Sequence, residues 1–227
     1  MWLIGFEFEL NSLEKKYIKS TSFIKNFVED ESCYAEAISN PIELTLDKHK
    51  QEKIFDIFYD HRYLINTSTF DSNCGGHMTI SNSKYSGKQI FEKIKKYAPL
   101  IYALNSRRLA SPSCCFNLFL NIKENTKFSP IYFKENLLEI RLFSTHRSLK
   151  KLVNRYKLIG KICEAIDNDF SYNKLLLNVK PLLKEIYPEK ILNNIINESY
   201  YFDKMIKEKY FNKIALRYIN YKLYEDK

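Results

Sequence analysis

The segment IGFEFEL (4–10) constrains this chain more than any other stretch. After Gly5, phenylalanines at 6 and 8 alternate with glutamates at 7 and 9, the period of two that a β-strand imposes. One face of such a strand is apolar, and the other carries two carboxylates about 6–7 Å apart. The spacing therefore predicts a strand over 2–10. Glu7 and Glu9 repel each other unless a divalent cation bridges them or both face water. By itself, E-x-E leaves metal ligation and a solvated strand face both open.

Further strands follow. CYAEAIS (33–39), closed by Asn40-Pro41, reads as a second strand, and its period alone leaves the direction of Glu36 open. GHMTIS (76–81) resumes alternation after two glycines, with His77 and Thr79 outward. CFNLFLNI (115–122) and LLEIRLF (137–143) are strand-like. In the latter, Leu138, Ile140 and Leu142 point to the core while Glu139 and Arg141 share the other face. That pair is either a surface ion pair or an acid for a metal beside an arginine for a phosphate or carboxylate.

Between the strands, helices are predicted over 47–61, with Ile54, Phe55 and Phe58 as the apolar stripe, and over 87–104, where Pro99 should start the helix late or bend it. Residues 66–76 read as a polar loop. The loop NSRRLASPS (105–113) offers Arg107 and Arg108 as a solvated pair or as a phosphate clamp. From Arg147 onward the period becomes 3.6, as in Phe202, Met205, Ile206, Tyr210, Ile214 and Ala215. The reading is an α+β fold: a mainly antiparallel sheet with helices on one face over 1–146, followed by a helical C-terminal region over 147–227 packed on that core.

Composition narrows the function classes. With 227 residues, 45% hydrophobic and 15% aromatic, the chain can bury a sizeable core, which excludes a disordered segment. No window approaches the roughly 20 apolar residues of a membrane helix, and the start MWLIGFEFEL has carboxylates where a secretory signal carries a basic head. The expectation is a soluble, cytoplasmic protein with no membrane partner. Its cysteines, Cys33, Cys74, Cys114, Cys115 and Cys163, are odd in number and form no C-x-x-C pair, so reduced thiols are expected. The formal charge of +9 suits a nucleotide, nucleic acid or acidic peptide, although the lysines are spread along the chain as on a solvated surface.

Taken singly, each polar group has a structural explanation. Together, acid, imidazole and guanidinium recur at four strand ends or loops, always away from the apolar face. A metal and phosphate site laid across one sheet face requires that arrangement.

The order of these motifs resembles the amidoligase family, a branch of the glutamine synthetase and glutamate-cysteine ligase superfamily of carboxylate-amine ligases. IGFEFEL (4–10) is similar to its opening G-x-E-x-E strand, YAEAISNPIEL (34–44) to its second strand, and CGGHMTIS (74–81) to its glycine-histidine strand. NSRRLASPSCCF (105–116) is similar to its arginine loop, and LLEIRLFSTH (137–146) to its closing E-x-R strand. Two positions depart from the family pattern. Thr79 stands where a second histidine is common, and the arginine loop has Ser and Cys where Asn and Tyr are usual.

The resemblance implies a glutamine synthetase catalytic-domain-like sheet, with ATP and Mg2+ as cofactors. It assigns Glu7, Glu9 and Glu139 to the metal, Glu36 to the metal or the incoming amine, and His77 to the nucleotide phosphates or a metal. Arg107 or Arg108 would hold the transferring phosphate, and Arg141 the phosphate or the substrate carboxylate. The implied reaction joins a carboxylate to an amine through an acyl phosphate, with a peptide or protein among the candidate substrates. Two alternatives stay open. A basic nucleic-acid-binding protein would use surface lysines and interleaved aromatics, but gives no reason for acids on a sheet face. A family member that keeps the fold but has lost turnover is the other, for which Thr79 is the sign.

Overall fold

Strand β1 (Trp2–Leu10) organises the sheet because its nine residues are long enough to serve several partners. Its second half pairs with β3 (Cys33–Ser39) through Glu7 to Leu10, and its first half pairs with the short β4 (Ile42–Glu43) through Leu3 and Ile4. On its other edge, Trp2 to Phe6 pair with β5 (Met78–Asn82). With β2 (Ile24–Asp30), β6 (Ile131–Phe133) and β7 (Leu138–Ile140), the order is β2-β3-β1-β5-β7-β6, and β4 pairs with β1 off this path. Every pairing is antiparallel. The structure is a computed structural model that describes residues 1–10, 21–30, 33–66, 75–106, 120, 122–127, 129–143 and 148–208.

The alternation of β1 decides which face is covered. Trp2, Ile4, Phe6, Phe8 and Leu10 are all buried. Helix α1 (Lys48–Asp60), capped by the Asp47 side chain on Lys50 N–H, brings Phe58 edge-on to Phe6 with ring centroids 5.4 Å apart. Helix α5 (Leu149–Asp167) adds Tyr156, 5.9 Å from Phe58, and the Tyr156 hydroxyl donates to Glu43 O at 2.7 Å while accepting from Thr45 N–H at 2.9 Å. Each such fully buried ring contributes about 1.5–3 kcal/mol by leaving water, and the polar tip of Tyr156 stays hydrogen-bonded. One hydrophobic cluster runs from β1 through α5 to α7 (Glu189–Glu208), with α6 (Tyr172–Ile186) joining it through Leu175, Val179 and Leu183.

The predicted helix over 87–104 is two helices, α3 (Gly87–Ile94) and α4 (Ala98–Ala103). Pro99 sits in the first turn of α4, where its missing N–H costs nothing; the same lack of an N–H denies a bond to the carbonyl four residues back, at Lys95, so the ladder of α3 is not continued through it. A capping box between Ser86 and Gln89 starts α3. α4 lies on α7, with Tyr102 edge-on to Phe202 at 5.8 Å. The short α2 (Tyr63–Asn66) precedes the predicted polar loop, whose residues 67–74 lie outside the described ones.

Other boundaries move. β5 begins at Met78 rather than Gly76, because Gly76 N–H is taken by Phe143 O at 2.9 Å. Only Leu138–Ile140 of the predicted 137–143 strand is in the ladder. Of the strand expected over 115–122, residues 115–119 and 121 lie outside the described residues, and Ile122–Glu124 forms a 3-10 turn. From the final apolar stripe, Phe202 and Met205 are buried, whereas Tyr210, Ile214 and Ala215 also lie outside the described residues. Among the described residues no helix is long and apolar enough to cross a membrane.

Candidate metal centre

The register of the sheet gathers the polar residues. Glu9 lies opposite Glu36 on β3, so Glu36 shares the face of Glu7 and Glu9 and the ambiguity of its period is resolved. Glu7 N–H donates to His77 O at 3.0 Å, Gly5 lies opposite Thr79, and Thr79 lies opposite Glu139. Glu139 in turn faces Tyr132 on β6. Because directly paired residues project the same way, Glu7, Glu9, Glu36, Thr79 and Glu139 come from four strands onto one face, and His77, immediately before β5, joins them.

His77 is the centre of the group. Its Nδ1 lies 3.1 Å from Glu7 Oε2 and 3.7 Å from Glu139 Oε1, and its Nε2 lies 3.2 Å from Glu9 Oε1. Each ring nitrogen thus has a carboxylate oxygen within 3.2 Å. Gly75 N–H donates to Glu9 Oε2. A Cβ at Gly75 would stand 2.7 Å from His77 Nε2 and 3.0 Å from Glu9 Oε1, so the bare glycine lets the chain pass close beside both.

Burial distinguishes this cluster from a solvated strand face. Glu9 is 6% exposed, His77 4% and Glu139 2%. Carboxylates out of water need compensating charge, and Glu139 finds it in Arg141, with Lys134 Nζ 3.5 Å away. The Glu139–Arg141 pair is therefore not the exposed ion pair that its sequence also allowed. At Glu7, burial pushes the carboxyl pKa up. The hydrogen bond and charge of His77, with Arg141 and Lys134 behind it, outweigh that and hold Glu7 below its ordinary value.

Of the sequence-predicted site residues, Glu7, Glu9, His77, Glu139 and Arg141 are brought together, and Glu36 joins them by register. Arg107 and Arg108 lie outside the described residues. Two participants were missed: Lys134 and the Gly75 N–H. Lys134 follows the three-residue β6, too short to show a period, and a backbone donor leaves no mark in side-chain patterns.

The donor set can be tested against Mg2+. One ligand atom each from Glu7, His77 and Glu139 lies within 4.8 Å of the others. Oxygen ligands around Mg2+, at about 2.1 Å from the ion, are roughly 3–4 Å apart, so a rotamer adjustment would close the carboxylates on one ion. Hard carboxylate oxygens suit Mg2+, whereas imidazole nitrogen is typical of softer metals. The acids fit this ion, and His77 fits better as the group that orients them. Compared with known proteins, the chain matches no family model and no curated sequence.

Proposed function

We propose that this chain is an ATP- and Mg2+-dependent carboxylate-amine ligase with a glutamine synthetase-like catalytic sheet, forming an amide or isopeptide bond through an acyl phosphate. The observation that supports this reading is the burial of Glu9 and Glu139, with Glu7 half-buried, around His77, with Arg141 against Glu139, on the sheet face away from the core. Concentrating this many ionisable groups costs stability, and no packing requirement accounts for it.

In this reading Glu7, Glu9 and Glu139 would hold Mg2+. When bound, the ion supplies neutralisation of charge between the phosphates. The donor carboxylate oxygen forms a bond to the γ-phosphorus as the bond to ADP breaks. The amine nitrogen then displaces phosphate from the acyl carbon and gives up a proton. Arg141, whose planar fork suits a phosphate or carboxylate, counters the moving negative charge, and Lys134 adds to the local field. His77 fixes the carboxylates of Glu7 and Glu9 from both ring nitrogens. Glu36, beside Glu9, is the acceptor for the amine proton. Arg107 and Arg108 are assigned to the transferring phosphoryl group by resemblance alone. No covalent protein nucleophile is required, so positioning and electrostatics carry the catalysis.

The test is Mg2+-dependent ATP turnover with carboxylate and amine supplied, in Glu7→Gln and Glu139→Gln. Each should lose about 100-fold or more with an unchanged far-UV circular dichroism spectrum. Full turnover in both variants would overturn the proposal. Steeply salt-dependent nucleic-acid binding, with no ATP turnover in the native chain, would favour the basic binding protein instead.

A further inference from the structure

Beyond the acid cluster, the same face of the sheet leads to a cavity of about 510 Å3, lined among others by Leu3, Ser81, Asn82, Lys84, Tyr85 and Asn136. This volume is within the range of small-molecule sites, about 300–1,000 Å3. The register fixes its place. Leu3 is paired with Ser81, Gly5 with Thr79, and Thr79 with Glu139, and alternate residues of a strand project together. Leu3, Gly5 and Glu7 therefore form one line from the cavity to the cluster. Its four residue steps cover about 13 Å along β1, a distance that an extended nucleoside triphosphate spans.

Two turns wall the cavity. The end of β5 and its turn into α3 bring Asn82, Lys84 and Tyr85, and the turn between β6 and β7 brings Asn136. These turns are fixed to each other: Gly87 N–H donates to Glu135 O at 2.9 Å, and a Cβ on Gly87 would collide with the carbonyl oxygens of Lys134 and Leu137. The β6–β7 turn also carries Lys134, whose Nζ lies 3.5 Å from Glu139 Oε2. One short piece of chain thus serves both the cavity and the cluster.

The lining has a definite chemistry. Tyr85 offers an aromatic ring whose plane is fixed by Trp2, with ring centroids 6.0 Å apart, and by Lys93 Nζ, 5.0 Å from the Tyr85 centroid. Leu3 adds apolar wall, while Ser81, Asn82 and Asn136 add hydroxyl and amide groups. Among the described residues that line the cavity, none is acidic. A nucleobase has flat faces that stack on aromatic and apolar side chains, and an edge of donors and acceptors that amides match.

We infer that this cavity seats the base and ribose of the nucleotide, with its phosphates running along β1 and β5 to Glu7, His77 and Glu139. The phosphate end of this assignment rests on the ligase reading of that cluster; the cavity end rests on its own lining.

The experiment is calorimetric titration of the full chain, in millimolar Mg2+, with the β,γ-imido analogue of ATP, with tripolyphosphate and with adenosine. The analogue should bind at least about tenfold more tightly than tripolyphosphate. Tyr85→Leu, which keeps apolar volume but removes the ring, and Asn136→Ala, on an exposed turn, should each weaken the analogue at least about threefold and leave tripolyphosphate unaffected. Glu7→Gln should weaken the analogue and tripolyphosphate alike and leave adenosine unaffected. Equal affinity of analogue and tripolyphosphate, or unchanged affinity for the analogue in both cavity variants, would overturn the assignment while leaving the ligase reading standing. Adenosine binding that Tyr85→Leu removes, with no binding of tripolyphosphate to the native chain, would uphold the cavity and sink the ligase reading. No binding of any of the three would overturn both.

Discussion

The Nδ1 atom of His77 lies 3.1 Å from Oε2 of Glu7, across the β1–β5 pair. With Glu9 on its other nitrogen, the ring stands between two carboxylates of one strand and keeps them apart. Removing the ring would leave buried acids facing each other with fewer compensating charges. His77→Ala should therefore cost about 2–4 kcal/mol in the absence of divalent ions. Millimolar Mg2+ should recover more stability in this variant than in the native chain, because the ion then meets carboxylates without an internal competitor. Urea unfolding with and without Mg2+ measures both effects, and an equal response in the two proteins would remove the carboxylates from the metal site.

Gly5 tests how closely β1 and β5 approach on the polar face. A Cβ there would lie 2.6 Å from Thr79 Oγ1, closer than packed atoms allow. Gly5→Ala should destabilise by about 1–3 kcal/mol through overpacking. Thr79→Ala removes the obstructing atom, so the double variant should be more stable than the two single effects predict. Additive losses in a double-mutant cycle would show that Thr79 is not the obstacle.

The sequence revealed most where one side-chain period ran long enough to count. IGFEFEL alternates over its whole length, and β1 has the predicted bounds and the predicted two faces. Lys48–Asp60 likewise follows its apolar stripe, one residue shorter at each end than the predicted 47–61. Legibility failed where pairing replaces pattern. β2 carries register irregularities between Ile24 and Asn26 and between Val28 and Asp30, which break its alternation. β4 and β6 span two and three residues and exist because β1 and β7 offer them partners. The same limit applies at the site. Glu7, Glu9 and Glu139 could be placed on strand faces by period, but only the register puts Glu36 opposite Glu9 and Thr79 opposite Glu139.

Trp2 connects the sheet to the helical region through a single bond. Its indole N–H donates to Asp167 Oδ2 at 2.8 Å, joining the first strand to the end of α5. Asp167→Ala should cost about 1 kcal/mol. It should also change the emission of Trp2, the chain's one tryptophan. Asp167→Asn keeps an acceptor oxygen and should retain most of the stability. Equal losses in the two variants would assign the effect to the carboxylate charge rather than to the hydrogen bond.

Glu198 on α7 links stability to pH. Its carboxyl is 8% exposed, and Oε1 has no hydrogen-bond partner among the described residues. Burial raises its pKa from 4.5 to about 7, only partly offset by a hydrogen bond from Ser106 at the end of α4. A carboxyl whose folded pKa is raised holds its proton more tightly in the folded state. Its favourable contribution is complete below the unfolded pKa and is lost as pH rises through the folded one. Between about pH 5 and about pH 8.5, the native chain should lose about 1–3 kcal/mol from this group once solvent screening is allowed for. Glu198→Gln, neutral throughout, should show that loss removed and should exceed the native chain in stability at the alkaline end. Urea midpoints across the range measure this directly, and parallel pH profiles for the two proteins would mean that the buried carboxyl keeps its ordinary titration.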